Sequence, residues 1–175
     1  MISKIILFGI VTIGLHFSTS IIVDWLKLGP AAESRFIERS QKLPNGEEFN
    51  PQKFKEWVSS NGKEARAYAF PVIFPIDLVF LICFGLFTLL GSVLLFEVLA
   101  ITRIPWWLVI VAPIVYIVSD LAEDALAFVL LYSADAITPG RVDLLKALTA
   151  TKFVSSGMSI VQTLLLALSA VWLRQ

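Results

Sequence analysis

Three carboxylates lie close together in the stretch SDLAEDALAF, which falls inside a long apolar run of the sequence. They are Asp120, Glu123 and Asp124, and their spacing of three and four residues places them on one face of a helix. A charge that faces lipid is costly, so this face is predicted to point into the protein. Carboxyl groups in such a place can carry protons, bind cations or hold helices together.

Three further ionisable residues lie in the other apolar runs of the chain. Counting about 1.5 Å of rise per residue places Asp77, Lys152 and His16 each roughly 12 Å inside its run. Asp124 and Glu123 lie at a similar depth, and Asp120 lies about one turn deeper. The sequence therefore predicts one shared ligand-binding or proton-handling site, with these members: Asp77, Asp120, Glu123, Asp124, Lys152 and His16.

The charges of this predicted site do not balance. Four carboxylates oppose Lys152, and His16 is the remaining candidate cation. In an interior of low dielectric constant, four carboxylates cannot all stay ionised beside one ammonium group. We expect at least one of them to be protonated near neutral pH, or a cation or water to enter. A protonated carboxyl beside an ionised one forms a proton donor–acceptor pair.

The acids allow two interpretations. Polar residues inside a membrane can simply hold helices together, at about 0.6–2 kcal/mol each, and one Lys–Asp pair would need nothing more. Four acids exceed what such a clamp requires, which favours a site for a ligand, a proton or an ion. The Glu-x-x-His pairs of helical di-iron proteins are absent from the sequence, so we predict no metal and no other cofactor.

The composition indicates a membrane protein. Hydrophobic residues make up 57% of the 175 residues and charged residues 16%, and the mean hydropathy is +0.81. Soluble domains hold about 45–50% apolar and about 25% charged residues. We predict an all-α fold, an integral membrane four-helix bundle in a single domain of residues 1–175. Its predicted spans are residues 5–23, 69–96, 106–132 and 144–173, joined by a polar loop at 24–68.

Basic residues near the span ends predict the orientation. Lys4, Arg103 and Arg174 mark the N-terminus, the second turn and the C-terminus, which share one side of a four-span protein. By the positive-inside rule this side is cytoplasmic, and the 24–68 loop is then extracytoplasmic. Trp106 and Trp107 lie at the same boundary, where amphipathic rings are common. The predicted location is the cell inner membrane.

One short helix is predicted within the polar loop, in NPQKFKEWVSSNG. Asn50 is its N-cap and Pro51 takes its first turn, and Gly62 ends it. An apolar stripe runs along it, made of Phe54, Trp57 and Val58. Two interpretations are open: a lid over the outer face of the bundle, or an amphipathic helix that rests on the membrane surface.

Two resemblances rest on short motifs. The segments NGKEARAYAFPVIFPIDLVF, DLAED and TATKF, within residues 55–155, resemble a family of uncharacterised bacterial four-span proteins. That family carries an Asp in span two, Asp-x-x-Glu-Asn in span three and a Lys in span four. Here Asp124 replaces the Asn, and the motif around Arg66 and Tyr68 is more tightly spaced. The resemblance implies the membrane fold but no particular function.

The segments LHFSTSIIVD, IDLVF and TRIP are similar to the emopamil-binding and sigma-two-receptor superfamily of sterol-handling four-helix membrane proteins. This resemblance places His16, Asp24 and Asp77 at family positions, whereas the three acids of DLAED have no counterpart there. It implies a cavity for a sterol-like or other lipidic molecule, and an acid that moves a proton to and from a carbon–carbon double bond.

The leading hypothesis is an inner-membrane protein with a buried cavity for a small lipidic or amphipathic ligand, lined by Asp77, Asp120, Glu123 and Lys152, with isomerase-like chemistry as one form. One alternative is a structural or assembly subunit whose charges lock the bundle. Another is a proton-coupled transporter, which would need to oligomerise because four spans show no internal repeat. The predicted partners are membrane lipid and a lipidic small molecule, and the zero net charge gives no reason to expect nucleic acid.

Overall fold

The computed structural model describes residues 7, 9–14, 50–100 and 105–172, and it contains no strand within them. Residues 9–14 are helical. The later elements, in chain order, are helix α1 at Pro51–Ser60, helix α2 at Gly62–Ala67, a kinked segment at Tyr68–Asp77, helix α3 at Leu78–Val98, helix α4 at Leu108–Tyr132, a short 3-10 turn at Ala134–Ala136 and helix α5 at Pro139–Trp172. The prediction of an all-helical chain is confirmed for these residues.

Helix α1 begins where its sequence predicts. The Asn50 side chain accepts a hydrogen bond of 2.9 Å from the backbone N–H three residues later, and Pro51 follows it in the first turn. At the other end the Asn61 side chain donates to the Trp57 carbonyl at 3.0 Å. The prediction that Gly62 ends this helix is wrong, because Asn61 caps α1 and Gly62 already begins α2.

The apolar stripe of α1 is buried against the rest of the protein. Phe54, Trp57 and Val58 belong to one apolar core together with residues from α2, the kinked segment, the end of α4 and the start of α5. Helices α1 and α2 therefore cover the end of the α4–α5 hairpin, and we refer to these two helices as the cap. This packing favours the lid interpretation, because the stripe has little surface left to place on a membrane.

The kinked segment departs from helical geometry at two positions. Phe70 has φ −136° and ψ 121°, and Phe74 has φ −124° and ψ 121°. Each precedes a proline, Pro71 or Pro75, whose ring disfavours helical geometry at the residue before it. Both departures thus lie next to prolines, whereas α4 is one helix from Leu108 to Tyr132 with Pro113 inside it.

The three long helices pack closely at small residues. Helix α4 packs most extensively against α5, and α3 packs against both. At Gly85 of α3, an added Cβ atom would lie 2.5 Å from Cγ1 of Ile117 in α4. At Gly91 it would lie 3.6 Å from Cγ2 of Thr163 in α5. Small residues at helix contacts of this kind let backbones approach each other, as they do in membrane bundles.

Two of the described helical stretches are long and apolar enough to cross a membrane. They are Gly62–Val98, which includes the kinked segment, and Pro139–Trp172. Helix α4 has 25 residues, but it carries the three acids of DLAED in its second half. Most of the predicted first span lies outside the described residues.

Candidate functional site

Helix α4 turns its polar residues inward. The three acids of its predicted stripe are buried, with Asp120 at 2%, Glu123 at 0% and Asp124 at 6% exposure. Leu121 and Ala125, one turn apart on the other side of the helix, are exposed. The helical period therefore separates an acidic inner face from an apolar outer face.

Lys152 of α5 meets two of these acids. Its Nζ atom lies 2.6 Å from Oδ1 of Asp120 and 2.7 Å from Oε2 of Glu123. The lysine side chain is 13% exposed, so both ion pairs lie inside the protein. Both contacts join α4 to α5, and an ammonium group with three N–H donors can serve two carboxylates at once.

Two hydroxyl groups add to this arrangement. Thr149 lies one turn before Lys152 on α5, and its hydroxyl donates to Oε1 of Glu123. The Tyr116 side chain, one turn before Asp120 on the same helix face, lies close to the Asp120 carboxylate. The sequence indicates Tyr116 as a member of the α4 stripe. The sequence does not single out Thr149. Its spacing of three residues from Lys152 could have indicated that both side chains lie on one face of α5.

Asp77 brings a fourth carboxylate from the last residue of the kinked segment. One carboxylate oxygen from each of Asp77, Asp120 and Asp124 lies within 4.8 Å of the other two. The structure thus brings together five of the six predicted site residues, and we refer to the four acids with Lys152 as the acid cluster. His16, the sixth, lies outside the described residues.

An apolar groove of about 450 Å³ lies beside the acid cluster. Its charged lining residue is Asp124, and the others described around it are apolar: Ile73, Phe74, Leu78, Leu121, Ala125 and Phe128. Phe74 and Leu121 are each half-exposed, so the groove opens on the outer surface of the helices. A molecule in it would lie along apolar side chains, next to the residue Asp124.

A second polar contact joins the helices elsewhere in the bundle. The Gln162 side chain of α5 donates to the Ser92 hydroxyl at 3.0 Å and to the Val109 carbonyl at 2.6 Å. Ser92 also lies 3.1 Å from the Thr163 hydroxyl. These contacts connect α3, α4 and α5 and can hold the helices in register.

Helical spacing does not identify which serine of α5 faces inward. The spacing predicts Lys152, Ser156, Ser159 and Thr163 on this stripe. Ser155 is the buried serine instead, at 4% exposure, and Ser156 is only partly buried. Adjacent serines cannot be ranked by spacing alone, because both lie within one helical turn of Lys152.

Comparisons with protein-family models, with curated proteins and with solved structures gave no match to this chain.

Proposed function

We propose that this chain is a four-span protein of the cell inner membrane that binds a small lipidic or amphipathic ligand in the groove beside the acid cluster. The single observation that carries the ligand proposal is the groove of about 450 Å³, whose walls are apolar and which lies next to Asp124 of the acid cluster. Its volume falls within the range of about 300–1,000 Å³ for small-molecule sites. Sites of that kind combine mainly apolar walls with a few polar groups.

The distribution of polarity supports the membrane part of the proposal. On α5 the buried positions include Thr149, Ser155 and Ser159, next to the Lys152 ion pairs. Its outer face carries exposed apolar side chains: Val154, Met158, Val161, Leu165 and Leu168. In water this arrangement would be unfavourable, whereas in a bilayer lipid covers the apolar face and the polar groups satisfy one another.

We expect the ligand to lie in the outer half of the bilayer, because of the end of the helices at which the cap lies. The cap covers the end of α4 and α5 that the positive-inside rule assigns to the extracytoplasmic side. The acid cluster lies about two turns inside that end, and the groove opens sideways from it. A ligand dissolved in the bilayer could therefore enter without displacing the cap.

The test uses a variant that fills the groove and leaves the charged residues unchanged. In Ala125→Trp, a large ring on the groove wall should remove a co-purifying lipid or small molecule that wild type retains in native mass spectrometry and lipid extraction. The matched control is Ala147→Trp, which makes the same change at an exposed position of α5 outside this groove. A wild type with no bound molecule, or equal retention in both variants, would contradict the ligand proposal.

A structural or assembly subunit is the second candidate, and the ion pairs of Lys152 favour it because they bridge α4 and α5. The double variant Asp120→Asn and Glu123→Gln separates the two. If the ion pairs serve as a clamp, these amides should lower the stability, because they remove both carboxylates that pair with the Lys152 ammonium group, and co-purification should stay unchanged. Retained stability with a lost ligand would support the binding site, and a fall in stability alone would support the clamp.

A further inference from the structure

We propose that the Gln162 side chain of α5 supplies the hydrogen-bond donor that Pro113 removes from α4, and that this hydrogen bond keeps the first turns of α4 aligned with the part of the helix that carries the acids. Gln162 is then a positioning residue for the acid cluster. This role goes beyond the proposed ligand site, because it concerns the helices themselves and holds with or without a bound molecule.

The backbone of α4 lacks one hydrogen-bond donor near its start. In an α-helix each N–H donates to the carbonyl four residues earlier, so the Val109 carbonyl would pair with the N–H of residue 113. That residue is a proline inside α4, and proline has no N–H. Val109 is 8% exposed, and a buried carbonyl without a donor is costly. Helix α4 therefore needs a donor from outside its own backbone at this position.

Gln162 provides this donor from the neighbouring helix. Its Nε2 atom lies 2.6 Å from the Val109 carbonyl oxygen, and we refer to this hydrogen bond as the tie. A side-chain amide carries two N–H groups, and the second one donates to the Ser92 hydroxyl of α3 at 3.0 Å. Prolines are tolerated inside membrane helices where a neighbouring helix satisfies the freed carbonyl in this way.

The hydroxyl groups around Gln162 agree with this orientation of its amide. The Thr163 hydroxyl donates to the Ser159 carbonyl at 2.8 Å, so its one hydrogen is used there. In the 3.1 Å contact between Ser92 and Thr163 the Ser92 hydroxyl is therefore the donor. The Ser92 oxygen is then left to accept from Gln162, as the geometry has it. Ser92 is completely buried, so this chain of hydrogen bonds fixes the Gln162 amide inside the protein.

The spacing of the tie matches that of the ion pairs. On α4, Asp120 lies eleven residues after Val109, and on α5, which runs in the opposite direction, Lys152 lies ten residues before Gln162. At about 1.5 Å of rise per residue these intervals are roughly 16.5 Å and 15 Å. The tie and the ion pair thus join the same two helices at two levels, on either side of Pro113. A bend of α4 at Pro113 would shorten its interval but not that of α5, so loss of the tie should loosen the contact between the acids and Lys152.

A double-mutant cycle on the full chain in detergent tests this role. Gln162→Leu removes the donor at a similar volume and should lower the melting temperature by about 2–12 °C. Pro113→Ala restores a backbone N–H for the Val109 carbonyl, so in that background Gln162→Leu should lower the melting temperature by less than half as much. The matched control is Gln52→Leu, which makes the same change at an exposed position of the cap and should have little effect in either background.

Equal losses of melting temperature in the two backgrounds would overturn the proposal, because Gln162 would then act through Ser92 or through packing and not through the freed carbonyl. No loss in the wild-type background would overturn it as well. Should Gln162→Leu fail to fold, recovery of folded protein by Pro113→Ala becomes the test. A double variant that also fails to fold would count against the tie.

Amide hydrogen exchange measures whether the tie positions the acids. In Gln162→Leu we expect faster exchange than in wild type along α4, from its first turn to Glu123, with little change in the cap. Adding Pro113→Ala should restore slow exchange in the same stretch. Faster exchange that stays within the first turn of α4, or that spreads evenly over α4 and the cap, would contradict the positioning role.

Discussion

The ammonium group of Lys152 supplies positive charge to two of the four acids of the acid cluster. It lies 2.6 Å and 2.7 Å from two carboxylates that are almost completely buried. Removing one partner of a buried ion pair leaves an uncompensated charge in a low-dielectric site. This destabilises a protein more than replacing both partners by apolar residues does. The cluster is therefore more sensitive to loss of its cation than to loss of any one acid.

We expect Lys152→Ala to lower the free energy of unfolding by about 3–5 kcal/mol at neutral pH. The deficit relative to wild type should shrink as the pH falls, because protonation of the carboxyls removes the charge that the lysine balances. Thermal melting in detergent at pH 5 and pH 8 measures both effects. Lys63→Ala, at an exposed position of α2, is the control. An equal deficit at the two pH values would exclude the charge explanation.

Thr149→Val should also destabilise the protein, by about 1–3 kcal/mol, because Glu123 would lose a buried donor while the volume stays the same. The control is Thr151→Val on the same helix. The Thr151 hydroxyl is exposed and bonds only a carbonyl of its own helix among the contacts described, that of Ala147 at 2.8 Å. Chemical denaturation of both variants in one detergent compares them, and equal losses would deny Thr149 a role in the cluster.

Residue spacing predicts the acid cluster better than it predicts the groups around it. Asp120, Glu123 and Asp124 could be placed on one inner face because lipid penalises charge. The same argument pairs them with Lys152. Thr149 carries no charge, so no comparable penalty fixes its direction, and its role became visible only from the position of Glu123.

At the scale of elements, the kinked segment connects three parts of the molecule. Tyr68 and Val72 lie in the core beneath the cap, Phe74 forms a wall of the groove, and Asp77 enters the acid cluster. The prolines predict where this segment leaves helical geometry. They do not predict which neighbours it then contacts, because that depends on how α4 and the cap pack around it.

The contact between α3 and α4 gives a matched pair of glycine variants. Gly85→Ala should cost about 1–3 kcal/mol by overpacking, since its Cβ atom would lie 2.5 Å from Ile117. Gly157→Ala on α5 meets nothing within 4 Å and should be neutral or stabilising by up to about 1 kcal/mol, because alanine favours helix. Melting temperatures compare the two. Adding Ile117→Ala should reduce the cost at Gly85, and no reduction would place the strain elsewhere.

At the scale of the whole molecule, the chain has two distinct ends. The cap and the turn at Ala134–Ala136 lie together at one end, and α3 ends and α4 begins at the other. Helix α5, with 34 residues, is about 51 Å long and exceeds the roughly 30 Å hydrocarbon core of a bilayer. It is therefore long enough to extend from the cap across a bilayer, and the proposed orientation would expose the two ends to different compartments.

Cysteine accessibility tests this arrangement in intact cells. The native Cys83 is buried in α3 and should stay unlabelled by a membrane-impermeant maleimide. We expect Lys63→Cys in the cap to react from outside, because this side chain is exposed on α2, at the end that the proposed orientation places outside the cell. Trp106→Cys, at the opposite end and 62% exposed in wild type, should react only after the membrane is permeabilised.

A difference in labelling between the two variants would report the side of the membrane that each position faces, since both side chains are exposed. Both variants also keep Cys83 as an internal reference. Positive-inside orientation requires the turn that holds Trp106 to be cytoplasmic. Labelling of Trp106→Cys in intact cells, with Lys63→Cys protected, would invert the proposed orientation. Equal labelling of both before permeabilisation would show that the helices do not separate two compartments, and the membrane proposal would then be wrong.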